Sequence, residues 1–274
     1  MAQKKSVINL DYPITSEPRF GYEKPVHPQL DEIIAEKRES YRDLLLRFLK
    51  YRDYFLRIPI FPDAEALLAP AWVNSFLPAL DTVAIYGFLC ENNPANYFEV
   101  GSGWSTKVAG RAIADQGLRS RIVSIDPEPR VGIDTLCTKI IRQPLEEVDL
   151  SMFDELHAGD VLFVDSSHCS FMNSDATVMF LEVLPRLRTG VIVGIHDIFL
   201  PCDYPANFVE RYYSEQYLLA CCLLAGGSKL EVLFPGFYIS KDSELREVMS
   251  PLWQEPAMEG AECFAVSFWV KINA

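Results

Sequence analysis

From Tyr97 onward, short apolar runs alternate with longer segments whose apolar residues recur at three- and four-residue steps. The runs at 97–100, 121–125, 138–142, 160–164, 190–195, 230–239 and 263–271 predict strands, and 104–116, 129–136, 172–185 and 206–225 predict helices. Such alternation predicts a largely parallel sheet with helices on both faces. The rhythm breaks near the end, where the last two runs follow each other with no amphipathic helix resolved between them. They read as an antiparallel pair at one sheet edge. Ahead of the sheet, Leu30, Ile33, Ile34, Tyr41, Leu44, Leu45, Phe48 and Leu49 keep helical spacing, and 79–91 reads as a helix leading into the first strand. Residues 1–28, with Pro13, Pro18, Pro25 and Pro28, read as an extended arm. The expected organisation is an N-terminal arm and helical lid over 1–70 and an α/β domain over 71–274.

The first strand ends in Glu99-Val100-Gly101-Ser102-Gly103-Trp104-Ser105-Thr106. Two glycines one residue apart let the backbone turn sharply and approach a ligand closely. The helix that follows offers free N–H groups and a positive dipole end. Glu99 at the strand tip would repel a pyrophosphate but suits a ligand that is partly cationic, and S-adenosylmethionine, with its ammonium and sulfonium, is one. The second strand also ends in an acid. Asp126 lies 25 residues after Gly101, where an acid on the neighbouring strand tip reads a ribose diol. The bland alternative is that Asp126 only starts the turn at Pro127-Glu128-Pro129.

Ligands in open α/β sheets sit outside the carboxyl ends of the strands. The fourth strand is followed by Asp165-Ser166-Ser167-His168 and the fifth by His196-Asp197, so two carboxylates and two imidazoles converge there. Asp165 and Asp197 make a hard divalent-cation pair of the Mg²⁺ or Mn²⁺ type. Imidazole titrates near neutrality, which suits His168 to general-base work, with Asp165 and His196 completing the catalytic set.

Composition narrows the class. The chain has 274 residues, 49% hydrophobic and 23% charged, enough to bury a sizeable core. Its formal net charge of −13, with no dense Lys/Arg run, disfavours nucleic acid as the substrate. No apolar run reaches the roughly 18 residues of a membrane span, and no apolar stretch behind Met1-Ala2-Gln3-Lys4-Lys5 marks a signal peptide. Seven cysteines without Cys-x-x-Cys spacing fit a reduced cytoplasmic protein, with Cys221-Cys222 read as core packing. An arm such as 1–28 has the reach to join a neighbouring subunit in a homo-oligomer.

These motifs together resemble the class I S-adenosylmethionine-dependent methyltransferases, specifically the family labelled methyltransferase domain 24. The likeness is densest in Glu99–Gly103, Ser124–Arg130, Phe163–His168 and His196–Pro201. It continues through Asp203-Tyr204-Pro205 and Tyr213–Tyr217 and spans roughly residues 70–240. The resemblance implies a Rossmann-like, mostly parallel seven-strand sheet with an antiparallel C-terminal edge pair. It implies cofactor contacts at Glu99, Gly101 and Ser102, extended here to Gly103, Ser105, Thr106 and Pro127, with Asp126 on the ribose. A more distant likeness to metal-dependent catechol-type O-methyltransferases aligns Asp165 with a metal-binding Asp and places His168 where those enzymes carry a basic Lys. Their Asp-Asn pair is His196-Asp197 here. The implied reaction is methyl transfer to an oxygen of a small-molecule acceptor, metal-assisted. The alternatives are a metal-independent N- or C-methyltransferase and a non-catalytic cofactor-binding protein. A nicotinamide dehydrogenase is disfavoured, because Thr106 stands at the third small position of Gly-x-Gly-x-x-Gly.

Overall fold

The computed structural model describes residues 11–12, 17–226 and 229–274. The start of the chain on which the signal-peptide reading rests, and much of the arm, lie outside the described residues. The described helices begin with α1 (Pro28–Ala35), α2 (Arg38–Phe48) and α3 (Arg52–Phe55). α1 opens on a proline, whose missing N–H costs nothing there, and His27 Nδ1 caps it by accepting from the Leu30 N–H at 3.4 Å. The long α4 (Ala79–Asn92) leads into β1 (Asn96–Val100), α5 (Trp104–Gln116), β2 (Arg121–Ile125), β3 (Lys139–Ile141) and β4 (Val161–Val164). α6 (Asp175–Val178), β5 (Ile192–Ile195), α7 (Ala206–Val209), α8 (Glu215–Ala225) and β6 (Leu230–Pro235) follow. The chain closes with α9 (Gly236–Lys241), α10 (Ser243–Val248), α11 (Ser250–Trp253) and β7 (Phe268–Ile272).

Among the described residues seven strands form one sheet in the order β3-β2-β1-β4-β5-β7-β6, parallel except for β7, which runs antiparallel to β5 and β6. This is the predicted sheet with its antiparallel edge. The chain winds outward from β1 to β3, then returns to place β4 on the other side of β1. Strand order therefore reverses between β1 and β4, and a crevice must open outside their carboxyl ends.

Four local readings are corrected. The helix expected over 129–136 is only a single 3₁₀ turn at Asp134–Leu136, since Pro129 and Gly132 break the run. The helix expected over 206–225 is split into α7 and α8 by a turn at which Tyr212 has φ +56°. The sixth strand stops at Pro235, and three short helices, each too short to show a period, lie where none was expected. The last strand begins at Phe268 instead of Cys263, because the Val266 and Ser267 N–H groups donate to the Asp81 carboxylate, at 2.9 Å each, instead of to a strand.

The N-terminal helices share the main core. Tyr41, Leu45, Phe48 and Phe55 are fully buried. Phe48 packs edge-on against Phe88 of α4 (5.4 Å between centroids) and tilted against Phe234 of β6 (6.4 Å), while Phe88 stacks on Trp269 of β7 at 4.3 Å. Gly87 admits this approach, since a Cβ there would lie 2.3 Å from the Phe48 ring. Upstream, residues 19–27 are strapped to the loop after β5. Asp203 Oδ2 accepts from the Arg19 and Phe20 N–H groups at 2.6 and 2.9 Å, and the His27 N–H donates to Pro201 O at 3.0 Å.

Candidate active site

The crevice between β1 and β4 is a cleft of about 1170 Å³. One wall is the loop Gly101–Ser105, the other the residues after β4, and Phe76 and Leu77 from ahead of α4 border it. Gly101 is what brings the two strand tips together. It has φ +77°, and a Cβ there would lie 1.8 Å from Asp165 O. Its N–H donates to Ile125 O, and the Asp165 N–H donates to Val100 O, so both loops are pinned to the sheet.

Of the residues expected to bind a cofactor, Gly101, Ser102, Gly103, Ser105, Asp126 and Pro127 line this cleft, with Trp104 beside them. Asp126 accepts from the Ser102 N–H at 2.7 Å and the Glu128 N–H at 2.8 Å. A carboxylate has about four acceptor positions, so two remain for a diol. The bland turn reading and the ligand reading of Asp126 are thus compatible.

Glu99 and Thr106 do not line the cleft. Both are fully buried. Glu99 accepts from Tyr97 Oη–H at 3.0 Å and from Thr106 Oγ1–H, while Thr106 Oγ1 accepts from the Gly103 N–H at 3.0 Å. Their work is to hold the glycine loop from behind. Burial pushes the Glu99 carboxyl up to about 7, against the Ser105, Thr106 and Tyr97 hydrogen bonds that favour its charge.

Beyond Asp165 the tips of β4 and β5 meet in a cluster of charge. His168, only 2% exposed and held at φ +60°, lies with Nε2 3.2 Å from Asp165 Oδ1 and 3.5 Å from Asp197 Oδ2. Its Nδ1 is 2.9 Å from Glu215 Oε2, at the start of α8. Burial works against its charged form, but the Asp165, Glu215 and Asp197 carboxylates outweigh that and hold the imidazole protonated well above its usual range. Both ring nitrogens thus face carboxylates, a setting that favours the imidazolium over the free base that general-base work requires. Burial likewise opposes ionisation of Asp165, yet His196 and His168 keep its carboxyl well below the usual carboxylate range.

His196 is 3% exposed, with Nδ1 3.5 Å from Asp165 Oδ1 and 3.6 Å from Asp197 Oδ1 and Nε2 3.4 Å from Asp81 Oδ2. Burial disfavours its charge, and Asp165, Asp197 and Asp81 together raise its pKa well above the ordinary value. Among the described residues, neither ring nitrogen has a hydrogen-bond partner, and the same is true of Glu215 Oε1.

The fold thus brings together Asp165, His168, His196 and Asp197, all four expected from sequence. It adds Asp81 from α4, which sequence reading missed, and Glu215 from α8, which lies in the Tyr213–Tyr217 motif but was given no role there. Asp81 is an acid at the apolar start of α4, which was the signal available for it, whereas Glu215 opens α8 beside Ser214 and Gln216. Tyr213 lies beside His168 (4.7 Å between centroids), and Tyr204 is buried in a separate aromatic cluster with Phe199, Phe237 and Val266. Cys221, read as core packing, is exposed.

A family model for a methyltransferase domain, Methyltransf_24, matches residues 98–198 of this chain. No curated protein sequence matches it. Among solved structures, the O-methyltransferase TomG from Streptomyces achromogenes, in complex with SAM, is 16% identical. That match covers 82% of this chain and 96% of that one, with a TM-score of 0.46. The SAH-bound methyltransferase PaMTH1 from Podospora anserina is 15% identical, covering 93% of this chain and 100% of that one, with a TM-score of 0.43. The O-methyltransferase from Bacillus cereus in complex with SAH is 13% identical, covering 90% of this chain and 96% of that one, with a TM-score of 0.42.

Proposed function

We propose that this chain, which carries a methyltransferase domain over residues 98–198, transfers the methyl group of S-adenosylmethionine to an oxygen of a small-molecule acceptor. The observation that carries the reading is that the glycine-loop cleft ends on Asp165, so a nucleoside site and a charged reaction centre share one wall. S-adenosylmethionine supplies a methyl already attached to a good leaving group. The protein's contribution is therefore positioning and charge control. Gly101 provides a cradle that no side chain could share, Ser102 and Ser105 line it, and Asp126 has acceptor capacity for the ribose hydroxyls.

Asp165 is kept ionised and borders the cleft, so it accepts a hydrogen bond from the acceptor hydroxyl and orients it. His168 acts through Asp165 and Asp197 as a positioning residue, itself fixed by Glu215. A divalent cation held by Asp165 and Asp197 would lower the hydroxyl's pKa. The donor chemistry fits, because the two carboxylates and His168 Nε2 lie within 4.8 Å of one another.

One observation favours a metal-independent enzyme instead: His168 already bridges the two carboxylates as a cation. Turnover that survives a chelator supports that second reading. The strap at 19–27, which adjoins the loop after β5, would contribute acceptor contacts from the N-terminal region, and Phe76, which borders the cleft, would add one from the α/β domain. Among the described residues no helix is long and apolar enough to cross a membrane. The cysteines, all free thiols, fit the reducing cytoplasm.

Calorimetric titration with S-adenosylmethionine tests the cofactor. Micromolar binding is expected, weakened at least about tenfold, or 1.4 kcal/mol, in Asp126→Ala. A folded protein that evolves no heat with this ligand would sink the reading.

A further inference from the structure

Phe76 is half exposed at the border of the cleft, although its neighbours Leu77 and Pro78 are buried. The turn that carries it is held firmly. Asn74, 9% exposed, donates from Nδ2 to Ala71 O at 2.9 Å and to Leu77 O at 3.1 Å. Its Oδ1 accepts from the Phe76 and Leu77 N–H groups at 3.0 and 2.7 Å. Both donors and both acceptor positions of the amide are thereby used. Ser75 has φ +64°, a left-handed conformation uncommon outside glycine. The backbone thus fixes a phenyl ring in the open and gives up the burial that drives such rings into a core.

Arg130 meets that ring from the loop after β2. Its guanidinium carbon lies 5.4 Å from the ring centroid, within cation–π range. Both residues line the cleft. Among the described residues the ring is the guanidinium's sole partner, since Arg130 makes neither a hydrogen bond nor an ion pair. The loop is stiffened by Pro127 and Pro129, and it lies against the glycine loop: Val131 Cγ2 is 3.9 Å from where a Cβ on Gly103 would be. The pair therefore ties the segment ahead of α4 to the loop that begins at Asp126, beside the start of α5.

We infer that Phe76 and Arg130 form a clasp on the cofactor cleft. They close over the adenosine moiety, each steadied by the other, and set how long the cofactor stays bound. The inference rests on the cofactor reading of the cleft but does not need the acceptor to be known. Sites for small molecules enclose most of the ligand's surface, and a cleft of about 1170 Å³ open to solvent needs a cover to do so. A phenyl ring and a planar guanidinium both lie flat on a purine or a ribose. Cation–π attraction joins the two halves to each other and not to the core, so the cover parts for exchange. Arg130 occupies one face of the ring, which leaves the other for an acceptor. Both are positioning residues and take no part in bond making.

Surface plasmon resonance on the full-length protein gives the association and dissociation rates of S-adenosylmethionine for wild type, Phe76→Ala, Arg130→Met and the double variant. Phe76→Ala should release the cofactor about tenfold faster and Arg130→Met about fivefold faster, with association within about twofold of wild type. The double variant should resemble Phe76→Ala, because a clasp missing one half is already open. Independent residues would instead reach about fiftyfold, so the expected coupling is about fivefold, the size of an exposed cation–π contact. Phe76→Tyr, which keeps the ring, should restore the wild-type rate. Melting temperatures of the cofactor-free variants should stay near wild type, since both side chains stand exposed. Dissociation unchanged in either single variant, or effects that multiply in the double variant, would overturn the clasp and leave the cofactor reading in place. A melting temperature lowered by several degrees in free Phe76→Ala would do the same, by assigning the ring to packing. Wild-type protein that fails to bind S-adenosylmethionine removes both readings.

Discussion

Glu99 shows how far a residue's surroundings can reassign it. Its place at a strand tip beside two glycines reads as a ligand contact, but Tyr97 and Thr106 occupy its oxygens inside the protein. The consequence is a pH-dependent cost. Its folded-state pKa is raised from 4.5 to about 7, so the folded protein binds a proton more readily than the unfolded chain. The contribution to stability is full below pH 4.5 and is lost as pH rises through about 7. At 1.36 kcal/mol per unit the loss is about 3 kcal/mol. In Glu99→Gln that loss should vanish. Urea midpoints compared between pH 4.5 and 8 check this, and parallel curves for the two proteins would contradict it. His168 carries the complementary lesson: its type suits a general base, and only the three surrounding carboxylates show that it is held as a cation.

At the scale of the element, the loop between β1 and α5 depends on its two glycines unequally. Gly101 combines φ +77° with a Cβ position 1.8 Å from Asp165 O, whereas Gly103 sits at φ 172°, with Val131 Cγ2 3.9 Å from where its Cβ would be. Gly101→Ala would cost about 1–2 kcal/mol in left-handed strain alone, and it must also part the tips of β1 and β4. S-adenosylmethionine affinity and melting temperature should both fall in Gly101→Ala, while Gly103→Ala stays near wild type in melting temperature. Equal effects at the two positions would refute this account. The sequence motif cannot rank them, because the clash at Gly101 comes from Asp165, just past β4 and 64 residues away in the chain. The same limit explains the last strand, whose start is set by Asp81 on α4 capturing the two N–H groups just ahead of it.

For the whole molecule, the N-terminal helices share one hydrophobic core with the sheet. Phe48 of α2, fully buried, joins α4 and β6 through its ring contacts. Phe48→Ala should destabilise the entire protein by about 3–5 kcal/mol, with a single urea transition. A separate early transition with the main one unmoved would mean that α1–α3 fold apart from the rest. Periodicity along the chain was enough to determine the βα alternation, the antiparallel edge and the order of the strand-tip motifs, because those follow from local spacing and from which faces must be covered. The convergence of Asp165, His168, His196 and Asp197 was legible for the same reason: parallel strands end on one side of a sheet. What only the tertiary structure decided is what each group meets there. Asp81 and Glu215 reach the cluster from helices distant in sequence, Glu99 turns inward, and His168 becomes a cation, because burial and charge act through space and leave no period along the chain.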